Sequence, residues 1–79
     1  MGTMKKAISS PQYSALISWL KESRISLGLS LRELADRLEE PHSFVQKVET
    51  LERRLDVFEY VEYCKALGVP ASDGLKFFI

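Results

Sequence analysis

The sequence predicts an all-α chain of five helices in one domain. Three observations lead there. Apolar residues recur at three- and four-residue spacing, a Ser-Pro pair and two capping boxes mark helix starts, and no segment sustains the alternation a strand requires. At 79 residues the chain can build one small core, burying roughly 60% of the surface its unfolded form exposes.

Residues 1–10 read as an N-terminal arm and residues 11–79 as a single domain. Ser10 caps the first helix and Pro11 fits its first position, where the missing donor would have no partner. Tyr13, Leu16, Ile17, Leu20, Arg24 and Leu27 follow helical spacing to about residue 27, with Trp19 off the stripe. Gly28 closes this helix in the left-handed conformation. Ser30 and Glu33 form a capping box for a helix over about 31–38, faced by Leu31, Leu34, Ala35 and Leu38. Glu40 precedes Pro41, so a turn falls at Glu39-Glu40. A third helix is expected over about 41–50, with Phe44, Val45 and Val48 inward. After a charged loop, Asp56 and Glu59 form a second capping box, with Leu55 and Tyr60 placed as a hydrophobic staple. The fourth helix, about 57–67, draws its apolar face from Val57, Phe58, Tyr60, Val61, Cys64 and Leu67, and Gly68 ends it. Val69-Pro70 is extended, and a last helix over about 71–78 is weakened by Gly74. The expected buried set is Leu16, Leu20, Leu34, Ala35, Leu38, Val45, Val48, Val61 and Leu67.

Two short helices joined by a tight turn carry a functional implication. Ala35 lets the third helix approach the second closely, and the apolar residues lock the pair. The outer face of the third helix is left free, and an α-helix fits the major groove of B-DNA. That face carries His42, Ser43, Gln46 and Lys47. Lys47 suits guanine acceptors and Gln46 suits adenine, while His42 and Ser43 can meet base edges or phosphate. The plain alternative is a solvated face. Arg53 and Arg54 either clamp phosphate or pair with Glu52, Asp56 or Glu49. Arg32 either faces phosphate or is solvated.

Composition narrows the classes. Hydrophobic residues are 46% and charged residues 28% of the chain, as in an ordinary folded domain. One cysteine, Cys64, forbids an intrachain disulfide and suggests a reducing, cytoplasmic setting. It lies on a core-facing stripe. One histidine and one cysteine are too few for a zinc site. No catalytic set, phosphate loop or cofactor motif is visible, so no enzyme is expected. No membrane span, signal peptide or ligand-sensing domain is expected either. Net charge is zero, but its distribution is uneven. Residues 1–38 carry +3, residues 39–64 carry −4 and residues 65–79 carry +1.

Four pieces, Leu27–Ala35, Pro41–Glu49, Glu52–Val57 and Ala66–Val69, resemble in order and spacing the phage-repressor and Cro (XRE-type) helix-turn-helix regulators. The resemblance covers about residues 16–78. It implies a five-helix, lambda-repressor-like DNA-binding domain in which the helix at 41–50 reads double-stranded DNA. It further implies an ion pair between Arg24 and Glu49, and a homodimer on a palindromic operator. The family's use of its C-terminal end for pairing points to Leu75, Phe77, Phe78 and Ile79 as the dimer interface; packing back on the core is the alternative. Three positions depart from the pattern. Glu39 and Leu51 replace usual glycines, and Leu31 replaces a frequent glutamine. The first two should give differently shaped turns, because neither side chain tolerates positive φ. Glu39 and Glu40 also set carboxylates near where phosphates would lie. A second function therefore stands beside DNA-binding regulation: a protein-interaction module with weak or no DNA binding. A positive ridge joining Arg32, Lys47, Arg53 and Arg54 would favour the first.

Overall fold

A computed structural model describes residues 10–79. The arm expected before them lies outside the described residues. The described residues form five α-helices and no strand: α1 Pro11–Ser26, α2 Leu31–Leu38, α3 His42–Glu49, α4 Val57–Leu67 and α5 Ala71–Leu75. A 3-10 turn, Lys76–Phe78, follows. None of these helices is long and apolar enough to cross a membrane.

The starts are those the caps dictate. Ser10 Oγ accepts from the Tyr13 amide at 3.0 Å. Both capping boxes close reciprocally, Ser30 with Glu33 and Asp56 with Glu59. The helix ends are more informative. After each of α1 to α4, one residue takes positive φ: Gly28 at 73°, Glu39 at 59°, Leu51 at 65° and Gly68 at 71°. All four ends share one hydrogen-bond pattern. The residue after the positive-φ position bonds back five residues: Leu29 to Arg24, Glu40 to Ala35, Glu52 to Lys47 and Val69 to Cys64, at 2.8–3.1 Å. This is the Schellman closure, which satisfies carbonyls the helix would otherwise leave open. The differently shaped turns expected at Glu39 and Leu51 are therefore not found. The closing bonds hold both side-chain-bearing residues in a conformation that costs an L-residue roughly 1–2 kcal/mol.

The core joins Tyr13, Leu16, Ile17 and Leu20 of α1 to Leu34 and Ala35 of α2, Val45 and Val48 of α3, and Tyr60, Tyr63, Cys64 and Leu67 of α4. Two expected core residues, Leu38 and Val61, are only half-buried. On α4 the buried stripe is Tyr60, Tyr63, Cys64 and Leu67, at i, i+3, i+4 and i+7. Val57 is 80% exposed and Phe58 73% exposed. Val57 lies a full turn before the stripe meets the core, and Phe58 shares a face with Glu62 and Lys65. Tyr63 carries the position that aliphatic counting assigned elsewhere. Its hydroxyl is buried without a hydrogen-bond partner among the described residues. Leu27, expected on the α1 stripe, lies beyond the helix and is exposed.

The last helix is shorter than the expected 71–78, ending at Leu75 one residue past Gly74, and Gly74 also permits it to dock. A Cβ there would collide with the Tyr60 hydroxyl, with Leu16 Cδ1 at 2.6 Å and with Trp19 Cζ3 at 2.7 Å. The Tyr60 hydroxyl donates to the Ala71 carbonyl, tying α4 to the start of α5. Beyond Gly74 the chain narrows to the 3-10 turn, and Phe77 tilts against Trp19 with ring centroids 6.2 Å apart.

Candidate nucleic-acid interface

α3 is eight residues long, and its two sides differ sharply. Val45 and Val48 are fully buried, and Phe44 is half-buried. His42, Ser43, Gln46 and Lys47 are all exposed, so the four candidate reading residues share the outer surface of one short rod. α2 and α3 share a more extensive contact than any other pair of helices, and Ala35 of α2 is buried. No side chain caps the first turn of α3. Its last turn is closed by Thr50, whose hydroxyl donates to the Glu52 carboxylate at 2.7 Å and lies 3.0 Å from the Gln46 carbonyl.

Two arginines fix the tilt of this rod. Arg24 of α1 donates to both Glu49 oxygens, Nε at 2.7 Å and Nη2 at 3.0 Å, and Nη1 reaches the Leu29 carbonyl at 2.7 Å. The two side chains are 11% and 7% exposed. Such a bidentate, nearly dry pair holds geometry tightly. The hydrogen bond to Glu49 keeps the Arg24 guanidinium charged even more firmly than usual. The ion pair implied by the family resemblance is thus present, binding α1 to the C-terminal end of α3.

Arg53 works at the other end. Nη1 and Nη2 meet the two Glu59 oxygens at 2.9 and 2.7 Å, and Nη1 also reaches the Arg54 carbonyl at 3.0 Å. Its guanidinium carbon lies 4.7 Å from the centre of the Phe44 ring, in cation–π range. Of the two readings open for Arg53, the structure contains the ion pair, with a partner other than the three expected. Glu52 is taken by Thr50 and Glu49 by Arg24. The Arg53 guanidinium holds the Glu59 carboxyl below the usual glutamate range, helped by the Asp56 amide. Glu59 therefore serves both the cap of α4 and the anchoring of the loop against α3. Its capping role was visible in the sequence. Its bond to Arg53 depends on the fold of the loop and left no spacing signal.

The remaining cations are spread out. Arg32 is exposed on the first turn of α2, Lys47 is exposed near the end of α3, and Arg54 is half-buried near Tyr13. The Tyr13 hydroxyl accepts from the Leu55 amide at 3.1 Å, fixing the loop on α1. Glu39 and Glu40 are exposed at the turn that leads into α3. Of the four cations expected to form a positive ridge, Arg53 is paired with Glu59. Cys64 is buried, and that burial raises its thiol pKa, which keeps it protonated. At the C-terminal end Leu75, Phe77 and Phe78 are 38–49% exposed, and Ile79 is fully exposed. Phe78 and Leu75 border an apolar groove with Leu16, Val57, Tyr60 and Val61.

Comparison with known proteins agrees with this architecture. The helix-turn-helix family model matches residues 20–73. A solved structure described as an XRE-family like protein from Pseudomonas syringae pv. tomato str. DC3000 is 41% identical. The alignment covers 92% of this chain and 89% of that one, with a TM-score of 0.81. The comparison with curated proteins finds no match.

Proposed function

The chain belongs to the XRE-type helix-turn-helix family of DNA-binding transcription regulators, which are not enzymes, and from that premise we propose that it binds a palindromic operator as a homodimer, reading bases with α3. The observation that carries this reading is the division of α3. Its inner valines are fully buried and its four outer side chains are all exposed, on a helix tied at its C-terminal end by the bidentate Arg24–Glu49 pair and covered at Phe44 by the Arg53 guanidinium. A rod so fixed presents His42, Ser43, Gln46 and Lys47 in constant register, which base readout requires. Arg32 and Arg54 supply phosphate contacts from flanking elements. Arg53 joins them by exchanging Glu59 for phosphate. Leu75, Phe77, Phe78 and Ile79 supply the contact between copies, and their partial exposure in one chain supports this. A two-fold pair would set its reading helices roughly 34 Å apart, one turn of duplex. Residues 11–79 act as this single module.

Selection of bound sites from random duplex tests the reading, and a palindrome is the expected product. Gln46→Ala and Lys47→Ala should each then weaken the selected site by about 1–3 kcal/mol relative to unrelated duplex. Phe77→Glu with Phe78→Glu should leave a folded monomer with much weaker operator binding, measured by sedimentation and titration. Specific observations favour a second reading, a protein-interaction module with weak DNA binding. Arg53 is engaged by Glu59, and two carboxylates stand at the entry to α3. Failure to select any duplex at low salt would establish that reading instead.

A further inference from the structure

The α2–α3 turn and the outer face of α4 enclose a cleft of about 430 Å³. Leu38, Phe44, Phe58 and Ala66 give it apolar lining, and Phe58 is 73% exposed. Its rim carries Glu39, Glu40, Glu59 and Glu62 against Arg37 and Lys65. Glu59 is held by Arg53 and Glu62 lies 3.4 Å from Lys65. Arg37 donates to the Ala66 carbonyl at 3.0 Å and keeps its charge, so the exposed Glu39 and Glu40 leave the rim with a net excess of one negative charge. Phe58 therefore presents an aromatic ring within a net-acidic cleft, a surface of the kind that packs against a partner's apolar side chain.

The chemistry of the cleft selects among occupants. Nucleic acid is repelled by the same two carboxylates. A second copy pairing through the same cleft would face one net-acidic rim with another and bring no surplus cation to Glu39 and Glu40. We propose that this cleft docks a segment of another protein, which lays an apolar side chain against Phe58 and Phe44 and a lysine or arginine against Glu39 and Glu40. Because the cleft adjoins the entry to α3 without including its reading face, such a partner could be held while DNA is bound. The proposal does not depend on DNA binding.

Display of random dodecapeptides against the full chain, with counter-selection on the Phe58→Ser variant, tests this. The expected product is a set of peptides pairing a Lys or Arg with a neighbouring Leu, Phe or Trp. A synthetic copy of the best peptide should shift amide resonances of residues 37–40 and 58–66. Its affinity should fall tenfold or more with Phe58→Ser, and likewise with Glu39→Gln plus Glu40→Gln, and it should weaken with added salt. Phe58, Glu39 and Glu40 are exposed, so both variants should melt as cooperatively as wild type. Three results would each overturn the proposal: enriched peptides lacking a cation, peptides bound equally by wild type and Phe58→Ser, or a wild-type dimer that Phe58→Ser converts to monomer. The last would give the cleft to a second copy.

Discussion

Replacing Glu39 by glycine should stabilise this protein, although it removes a side chain from a helical domain. Glu39 sits at φ 59°. The left-handed conformation costs an L-residue roughly 1–2 kcal/mol, while glycine gives back roughly 0.5–1 kcal/mol through the greater freedom of its unfolded chain. The side chain is exposed, so no packing is lost. A carboxylate just past the C-terminal end of α2 also opposes the helix dipole, typically by about 0.3–1 kcal/mol. The glycine entropy term opposes the other two, and the net is about 0.3–2.5 kcal/mol of stabilisation, or a rise in Tm of a few to several degrees for a domain of this size. Leu51, at φ 65°, offers the contrasting case. It gains the same backbone relief but is half-buried against the core, and losing that burial costs on the order of 1–1.5 kcal/mol. Leu51→Gly should therefore be neutral or destabilising. Glu39→Ala, which keeps the Cβ, should recover only the charge part. Thermal and urea unfolding followed by circular dichroism at matched protein concentration would separate the three. A lower Tm for Glu39→Gly than for wild type would refute the assignment of strain to this turn.

The remaining predictions concern the ties around α3 and α5. Arg24→Ala should cost about 3–5 kcal/mol in urea unfolding, because it leaves the Glu49 carboxylate buried and unpaired; joint replacement of both residues by Met and Leu should restore much of it, and equal loss in both variants would show that the pair is not the cause. Glu59 has a depressed carboxyl pKa in the folded chain, so its stabilising contribution is complete above its unfolded value near 4.3 and is lost as pH falls through the lower folded value. The Glu59→Gln variant should show a flatter acid limb in stability against pH than wild type, and an unchanged limb would remove Arg53–Glu59 from the acid response. Gly74→Ala should cost about 1–3 kcal/mol through overpacking and should perturb the fluorescence of Trp19, which lines that approach; full tolerance would mean α5 is not seated as described.

Element boundaries were legible because the caps are chemical and local. Ser10, Ser30, Asp56 and the two glycines each answer to their own few neighbours, and the helices begin and end within a residue or so of where those residues put them, the last helix excepted. What was not legible depended on contacts distant in sequence. The positive φ of Glu39 and Leu51 runs against their intrinsic preference and is imposed by helix closure on both sides. Tyr63 was overlooked because its polar end hides a side chain that the fold buries completely. Gly74 looked like a weakness, since nothing in its own segment announces that Trp19, Leu16 and Tyr60 converge on it. The candidate reading face was fully legible, as period 3.6 alone separates 42, 43, 46 and 47 from 45 and 48. The engagement of Arg53 by Glu59 was not, because two plausible acids nearer to it in sequence are Glu52 and Asp56.

The electrostatics of the reading end bear on how such a regulator would discriminate. The chain is neutral overall, and on the α3 side Arg53 is held by Glu59 while Glu39 and Glu40 stand at the entry turn. Phosphate neutralisation supplies nearly all non-specific affinity, and each contact adds about 0.9 to the salt slope on duplex. Among the described residues the proposed site has Arg32, Lys47 and the half-buried Arg54 as its cations besides Arg53, so one copy would gain little from duplex of arbitrary sequence. Specific binding would then have to come from base contacts and from pairing two copies, both of which are sensitive to the correct site. On the proposed function Arg53 would sharpen this further, since a phosphate would have to displace a bidentate carboxylate before the guanidinium contributed. That exchange would become favourable where α3 already sat in register. A weakly charged reading end thus trades total affinity for a larger ratio between correct and incorrect sites, and that ratio is the quantity that counts against a genome of competing duplex.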